Sequence, residues 1–304
     1  MIMINLTDDF KNKVVDALMG QRKNFGGSDA MFAKQWGLSA SVFSRLKKGE
    51  LTGLVRDSQW LNMGRELGVS TTQRKWNTAK TDVFTIIEED ILFCQQYSKS
   101  RICVDDCGIG KTYTAKYLSR TLKNCFYVDA SQGKTRRQFI KLVAKAIGID
   151  TNDKYDNIKA NVKYYLRTIE TPVVIVDEAG DLDYGAFMDL KELWNGTENA
   201  CAWYLMGADG LRRKIERGIS NQKVGYREMF SRMSERFTQP VPVGKEARVA
   251  FYKKLITDVL KANMSDTAEL NSIVKRCLVM DHGGDIGGLR RAESLLILNQ
   301  RSNG

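Results

Sequence analysis

A glycine-rich stretch that ends in Gly110-Lys111-Thr112 contains the residues best suited to bind a nucleotide. Gly108 and Gly110 let backbone N–H groups face a phosphate chain without intervening Cβ atoms, and Lys111 can reach the outer phosphates. Thr112 offers a hydroxyl to Mg²⁺, and the helix predicted over 113–122 would turn its positive end toward the anion. The expected nucleotide contacts are Cys107, Gly108, Ile109, Gly110, Lys111, Thr112 and Tyr113.

Two features of the sequence test this interpretation. Asp105 stands where the pattern G-x-x-x-x-G-K-[ST] has its first glycine, and a carboxylate near phosphates is an electrostatic objection, although Asp tolerates turn conformations. A second Gly-Lys-Thr at 133–135 lacks the glycine two residues earlier and has Val128 at the first-glycine position. We therefore predict that the earlier tripeptide binds the phosphates and that the later one belongs to a basic loop.

Two acidic residues follow an apolar run that is typical of a strand buried on both faces. The run covers residues 173–176, and Asp177 and Glu178 come directly after it. Ligands of open α/β sheets bind beyond the carboxyl ends of the strands. We therefore expect Asp177 to bind the Mg²⁺ and Glu178 to orient or deprotonate an attacking water. The alternative is an ordinary strand that ends in a solvated acidic turn.

Strand and helix patterns alternate along the middle of the chain, which predicts an α/β fold with a parallel sheet flanked by helices. The expected strands are Ile102–Val104, Phe126–Ala130, Val173–Val176, Ala202–Met206 and a fifth near Val241–Val243. The expected helices are one that starts after Thr81, then Arg136–Ala146, Ile158–Thr168, Gly185–Trp194 and Gly210–Arg217, and everything beyond Lys245. We predict an N-terminal helix–turn–helix domain over 1–69, a linker over 70–80, a nucleotide-binding core over 81–244 and a small helical lid over 245–304.

The helix–turn–helix prediction rests on residues 31–49. Gly37 is suited to the turn, Ser39 can cap a second helix, and Val42, Phe43 and Leu46 form one apolar stripe on that helix. The opposite face offers groups for phosphates or base edges, namely Ser41, Ser44, Arg45, Lys47 and Lys48. The alternative is a small helical bundle that docks onto another protein.

Composition favours a polyanionic partner. The 304 residues carry a formal net charge of +11, and residues 210–261 alone contain 13 Lys or Arg against 5 Asp or Glu. Double-stranded DNA would suit this excess, although scattered lysines can also simply solvate helices. No apolar run is long enough for a membrane span and no signal peptide is evident, so we expect a cytoplasmic protein. Six cysteines without paired spacing and one histidine predict reduced core thiols rather than a zinc site.

Taken together, the order of the strands and four motifs resemble AAA+ ATPases over about residues 80–300. The motifs are Gly108–Thr112, Asp177-Glu178, Gly207–Leu211 after the fourth strand, and Ser231–Phe237. With a helix–turn–helix in front, the chain is similar to the transposon target-selection ATPases of this family. The resemblance implies an ATPase that uses ATP and Mg²⁺.

The resemblance also implies roles for individual residues. Arg232 corresponds to an arginine finger that reaches the γ-phosphate of a neighbouring subunit, with Arg236, on the same helical face, as second choice. Arg290 resembles the lid residue that contacts the bound nucleotide, although a surface pair with Arg291 is the alternative. The polar residue usual after the fourth strand has no clear match at Ala208 or Asp209, so hydrolysis is expected to be slow and DNA-stimulated.

In related filament-forming ATPases, the loop after the second strand faces DNA, and here it contains Lys134, Thr135 and Arg136. A capped helix start is the alternative role for this loop. Our hypothesis is an ATPase that assembles head-to-tail on duplex DNA, largely without sequence preference, and delivers that DNA to a transposase that it activates. The alternatives are a replication-initiation or helicase-loading ATPase and a DNA-binding regulator with an ATP switch.

Overall fold

The computed structural model describes residues 6–70, 76–280 and 286–302, with side chains described as far as residue 299. Four helices begin the chain: α1 (Asp8–Asn24), α2 (Asp29–Gln35), α3 (Ala40–Lys47) and α4 (Asp57–Leu67). The side chain of Ser39 accepts a hydrogen bond from Val42 N and so begins α3, while Gly37, with φ +65°, turns the chain between α2 and α3. Phe43 and Trp60 lie in the apolar core of this bundle.

A five-stranded parallel sheet forms the centre of the molecule. Its strands are β1 (Arg101–Val104), β2 (Cys125–Asp129), β3 (Val173–Asp177), β4 (Ala202–Gly207) and β5 (Phe237–Thr238). The strand order is β2-β3-β4-β1-β5, and every pairing is parallel. The carboxyl ends of β1 and β3 therefore lie at the same edge of the sheet, on either side of β4.

Helices cover both faces of this sheet. They are α5 (Asp82–Tyr97), α6 (Lys111–Thr121), α7 (Arg136–Ile147), α8 (Tyr155–Thr168), α9 (Tyr184–Gly196), α10 (Asp209–Ser220) and α11 (Tyr226–Arg232). Successive residues of β3 alternate between two apolar cores: Val174 and Val176 lie in one, Val173 and Ile175 in the other. The prediction that this strand is buried on both faces is therefore confirmed.

Three further helices form the lid: α12 (Lys245–Asn263), α13 (Leu270–Cys277) and α14 (Leu289–Ser302). The predicted all-helical lid needs one correction, because Met280 and Ile286 form an antiparallel bridge before α14. Residues 281–285 of the predicted lid lie outside the described residues, as do 71–75 of the predicted linker. Asn77, which lies within that predicted linker, donates and accepts hydrogen bonds with Asn263 of α12.

The N-terminal bundle contacts the nucleotide-binding core directly. Asn24 at the end of α1 donates through Nδ2 to the carbonyls of Ser119 (2.6 Å) and Cys125 (3.3 Å). Glu66 of α4 forms an ion pair of 2.8 Å with Lys145 of α7. The bundle is thus bonded to the same helix, α6, that begins at the glycine-rich loop.

Two predictions near the end of the core are wrong. The fifth strand is Phe237–Thr238 rather than 241–243, because Val241 N donates to a carboxylate instead of to a strand and Val243 is 96 % exposed. Arg232 and Arg236 do not share a helical face, since α11 ends at Arg232 and the next turn places Ser234 and Glu235 at φ +68° and +50°.

Candidate nucleotide-binding site

The glycine-rich loop between β1 and α6 has the backbone expected of a phosphate-binding loop. Gly108 has φ +74° and Gly110 has φ +100°, a region that costs other residues about 1–2 kcal/mol. Gly110 is the N-cap residue of α6, whose first helical residue is Lys111. The first N–H groups of a helix have no partner within it, so those of α6 are available to an anion at this loop.

Lys111 lies at the base of the loop with its side chain turned along it. Its Nζ donates to the carbonyl oxygens of Asp105 (2.8 Å) and Asp106 (2.6 Å), and the residue is buried. Thr112 and Tyr113, by contrast, are exposed at the loop. Cys107 is also exposed, which corrects its assignment as a core thiol, while the other five cysteines are buried.

Asp105 occupies the place of the first pattern glycine without strain, because its φ is not positive. Its carboxylate accepts hydrogen bonds from the backbone N–H groups of Asp106 (2.8 Å) and Val241 (2.6 Å). Burial raises the pKa of this carboxyl, and the two backbone hydrogen bonds oppose that rise. The side chain that looked like an obstacle to phosphate binding is therefore engaged by the backbone.

The two acids at the carboxyl end of β3, Asp177 as its last residue and Glu178 directly after it, line the same cleft as the loop. Asp177 is only 2 % exposed; its Oδ2 accepts a hydrogen bond from Tyr127 Oη (3.0 Å) and its Oδ1 one from Glu178 N (3.0 Å). Glu178 has φ +51°, in the left-handed region. Burial, followed by the charges of Asp177 and Asp181, raises the pKa of Glu178, which makes its carboxylate a stronger proton acceptor.

Sequence reasoning missed Tyr127. It lies in the middle of β2, where it is half-buried and pairs in register with Ile175 of β3, two residues before Asp177. Its hydroxyl fixes the orientation of the Asp177 carboxylate, and burial together with Asp177 raises its own pKa. The only available signal was a polar aromatic residue within the predicted second strand.

The lid meets the loop at the start of α14. Leu289 N donates to Gly108 O at 2.7 Å, and a Cβ on Gly288 would lie only 2.7 Å from that same oxygen. This position therefore requires glycine, since any side chain would collide with the loop backbone. Arg290 follows directly and lines the cleft, where the resemblance placed it.

One cleft of about 1410 Å³ is lined by loop residues 107–114 together with Asp177, Glu178, Leu289 and Arg290. Its lining also includes Trp76 and Asn77, Val259 of α12, and residues of α1 such as Asp16 and Lys23. The volume exceeds the roughly 300–1,000 Å³ usual for small-molecule sites. The cleft therefore has room for a nucleotide and also for water along the N-terminal bundle.

The donor set fits Mg²⁺ bound together with a nucleotide. Mg²⁺ prefers oxygen ligands and is held by one or two protein groups plus substrate phosphates. Thr112 supplies a hydroxyl, and Asp177 retains lone pairs beyond the two that accept hydrogen bonds. Among the described residues no group of three or more His, Cys, Asp or Glu is arranged to hold a metal by itself.

The two arginine-finger candidates lie away from this cleft. The guanidinium of Arg232 lies over the ring of Trp194, 4.8 Å from its centroid, and Nη1 is buried without a hydrogen-bond partner in the part of the chain that the structure describes. Arg236 lines a separate cavity of about 800 Å³ with Asp90 and Arg101. Ala208, near the expected position of the fourth-strand polar residue, lines the nucleotide cleft.

The loop after β2 has structural contacts at each predicted DNA-binding residue. Lys134 forms an ion pair with Asp181 (2.9 Å), and Thr135 begins α7, where its N–H donates to the Gln138 side chain (3.3 Å). Arg136 forms an ion pair with the buried Asp189 (2.9 Å). The capped helix start is thus present.

The predicted DNA-binding residues of α3 are all exposed: Ser41, Ser44, Arg45 and Lys47. Arg45 pairs with Glu50 and Lys47 with Asp29, both at 2.7 Å, while Ser41 Oγ is 3.0 Å from Ser39 Oγ. Exposed pairs of this kind contribute little to stability.

The parallel α/β fold and the cleft fit a P-loop nucleotide-binding core. Residues 96–215, which run from the end of α5 into α10, match the AAA domain family, and this indicates an AAA-type ATPase domain. No curated protein matches the chain. Within the described residues, no helix combines the length and apolar character that a membrane span needs.

Proposed function

We propose that this protein is an ATPase that hydrolyses ATP with Mg²⁺ and uses the bound nucleotide to control its binding to duplex DNA. The observation that carries the ATPase part is the meeting of Lys111, Thr112, Asp177, Glu178 and Arg290 on one cleft. They come from three separate segments, two at the carboxyl edge of the sheet and one in the lid. This is the location at which α/β sheets bind ligands.

Each side chain has a distinct part in the proposed reaction. Lys111 and the first N–H groups of α6 bind the outer phosphates, and Thr112 with Asp177 holds the metal. Bound Mg²⁺ would supply charge neutralisation of the phosphates. Tyr127 keeps Asp177 in one orientation, and Glu178 accepts a proton from the attacking water. Arg290 contacts the nucleotide from the lid.

A second copy of the chain completes the proposed site through Arg232. This residue does not line its own cleft and has a buried guanidinium nitrogen without a partner among the described residues. Because Nη1 is buried, the guanidinium would have to leave the ring of Trp194 to reach the γ-phosphate of a neighbouring copy, and donation there would give that nitrogen a partner. Repetition of such a head-to-tail contact builds an open helical filament when the rotation does not close.

The proposed DNA contacts are the exposed face of α3 and the basic loop after β2, supported by the net charge of +11. Phosphate contacts of this kind predict little base preference. By resemblance to phage Mu transposition protein B and related target-selection ATPases, the DNA would be delivered to a transposase. A helicase-loading ATPase or a DNA-binding regulator would have the same core but different DNA selectivity.

Electron microscopy with duplexes of unrelated sequence tests this proposal, with ATP, ADP or no nucleotide added. We expect helical coating of every duplex with ATP only, and no coating by the Lys111→Ala variant. Closed rings would favour the helicase loader, and particles at one sequence would favour the regulator. Stimulation of strand transfer by a cognate transposase is the further test of target delivery.

The basic loop needs a variant that leaves the fold intact. Arg136 is unsuitable, because its removal leaves the buried Asp189 without its arginine partner. Lys134→Ala combined with Arg137→Ala removes two exposed cations instead, with Lys141→Ala on the exposed side of α7 as control. We expect the double variant to weaken DNA binding and flatten its salt dependence by about two phosphate contacts, whereas an unchanged slope would limit the loop to a structural role.

A further inference from the structure

Asp106 lies inside the phosphate-binding loop, yet its carboxylate is bonded to the lid. Tyr252 Oη of α12 donates to Asp106 Oδ2 at 2.7 Å, and Arg248 Nη2 forms an ion pair with the same oxygen at 2.7 Å. Tyr252 is 1 % exposed, and Arg248 is about one-third exposed. The carboxylate therefore has a hydrogen-bonded, partly buried environment supplied by one face of α12.

Two more contacts join the same loop to the lid and to the segment that leads into it. Gly108 O accepts from Leu289 N at the start of α14, and Asp105 Oδ2 accepts from Val241 N between β5 and α12. Three separate stretches of the C-terminal region therefore contact residues 105–108. Hydrogen bonds and an ion pair, rather than apolar packing alone, therefore hold this loop against the C-terminal region.

The catalytic lysine contacts this same segment from the other side. Lys111 Nζ donates to the carbonyl oxygens of Asp105 and Asp106, the residues whose side chains reach Val241 and the lid. Phosphates that draw Lys111 toward them remove a donor from both carbonyls. Nucleotide binding would therefore change the backbone hydrogen bonding of Asp105 and Asp106, whose side chains bond the loop to Val241 and to α12.

We propose that Asp106, Arg248 and Tyr252 form a latch that couples the conformation of the phosphate-binding loop to the orientation of the lid. The latch rests on the proposed ATP binding and adds a means of regulating it. The latch would affect Arg290, which directly follows the residue that contacts Gly108 and lines the cleft. Arg290 can contact the nucleotide only while the lid keeps this orientation. Asp106, Arg248 and Tyr252 are thus positioning residues.

A double-mutant cycle between Arg248 and Arg290 tests the latch, with ATP affinity measured by a fluorescent ATP analogue and Mg²⁺. We expect Arg248→Ala and Arg290→Ala each to weaken binding by about tenfold, in the range for charged hydrogen bonds. The double variant should be barely weaker than either single variant, because without the latch Arg290 is no longer presented to the nucleotide. If Arg248→Ala lowered ATP affinity only by disturbing the fold, its fold-change would instead multiply with that of Arg290→Ala in the double variant.

Matched variants complete the experiment. Lys253→Ala removes an exposed cation from the same helix and should leave the affinity unchanged, Arg248→Lys should restore part of it, and Asp106→Asn should reproduce the effect of Arg248→Ala. Thermal unfolding measured in parallel separates loss of fold from loss of coupling. Wild-type affinity in Arg248→Ala, or multiplicative effects with Arg290→Ala, would overturn the latch alone. Failure of the wild type to bind ATP would instead overturn the proposed function.

Discussion

The same tripeptide, Gly-Lys-Thr, occurs twice in this chain with opposite outcomes. At 110–112 the glycine has φ +100° and is the N-cap of α6, and the lysine is buried, with its ammonium group bonded to two loop carbonyls. At 133–135 the glycine has an extended φ of −159°, and the lysine is exposed in an ion pair with Asp181. Thr112 faces the cleft, whereas Thr135 begins α7.

The difference lies in what precedes and covers each tripeptide. A second left-handed glycine, Gly108, precedes the first copy, and the lid contacts it through Leu289 N. A short 3₁₀ turn, Ala130–Gln132, precedes the second copy and ends at Gly133. The functional groups are the same, so their role depends on whether the backbone turns its N–H groups toward a cleft. Matched substitutions in the two copies can therefore separate chemistry from context.

Removal of the lysine is expected to give the largest difference between the copies. Lys111→Ala should abolish measurable ATP binding, because a cation at the outer phosphates is lost from a partly closed site. Lys134→Ala removes only an exposed ion pair and should leave ATP affinity unchanged. Isothermal titration with Mg-ATP measures both. Equal losses in the two variants would mean that the first copy is not the phosphate site.

The acids after β3 distinguish the first copy further, because they share its cleft. Glu178→Gln should preserve ATP binding but lower kcat by about 10²–10⁴-fold, the usual contribution of a general base. Glu198→Gln, an exposed change beyond α9, is the matched control and should hydrolyse ATP normally. Steady-state phosphate release measures turnover. Normal turnover in Glu178→Gln would show that another group, or the phosphate itself, takes the proton.

Local patterns sufficed for the parts of this site that are continuous in sequence. The loop 107–113 and the strand with its two acids combine composition with a regular period, which single-sequence reasoning can detect. The second Gly-Lys-Thr could also be set aside, because its flanking residues lacked the glycines that a phosphate turn needs. The parallel sheet and four of its strands followed from the same alternation of patterns.

Contacts between distant residues could not be predicted in this way. Tyr127 meets Asp177 across 50 positions, and Tyr252 meets Asp106 across 146, so no local period reveals either pair. The fifth strand has only two residues, too few for an alternation, and a nearby valine-rich segment was a stronger but misleading signal. Arg236 was misplaced because two non-glycine residues with positive φ end the helix before it.

Replacement of the glycines tests the backbone part of the comparison, with a smaller expected effect. Gly110→Ala places a side chain at φ +100° and should lower both stability, by about 1–3 kcal/mol, and ATP affinity, by about tenfold. Gly133→Ala has an allowed φ, but its Cβ would lie 2.5 Å from Leu142 Cδ1 and 3.1 Å from Gln138 C. It should lower stability by about 1–3 kcal/mol and leave affinity unchanged. Denaturant unfolding and ATP titration of both variants distinguish strain from loss of a ligand contact.

Asp181 connects the two regions, and its substitution should have the smallest effect. Its carboxylate pairs with Lys134 of the second copy, and its charge adds to burial and Asp177 in raising the pKa of Glu178 at the first. Only ionised Glu178 can accept a proton, so kcat/KM should fall as the pH drops through that pKa. Asp181→Asn removes one cause of the raised pKa, and the acid limb should therefore move to lower pH.

The shift should be modest, because burial is the largest cause and remains in the variant together with Asp177. Asp156→Asn, which removes an exposed charge at the start of α8, should leave the limb in place and so controls for net charge. Profiles of kcat/KM against pH report groups of the free enzyme and are the appropriate measurement. An acid limb that moves to higher pH would mean that Asp181 acts mainly through its ion pair with Lys134, whose release then changes the cleft. The two regions would then be coupled by structure rather than by charge.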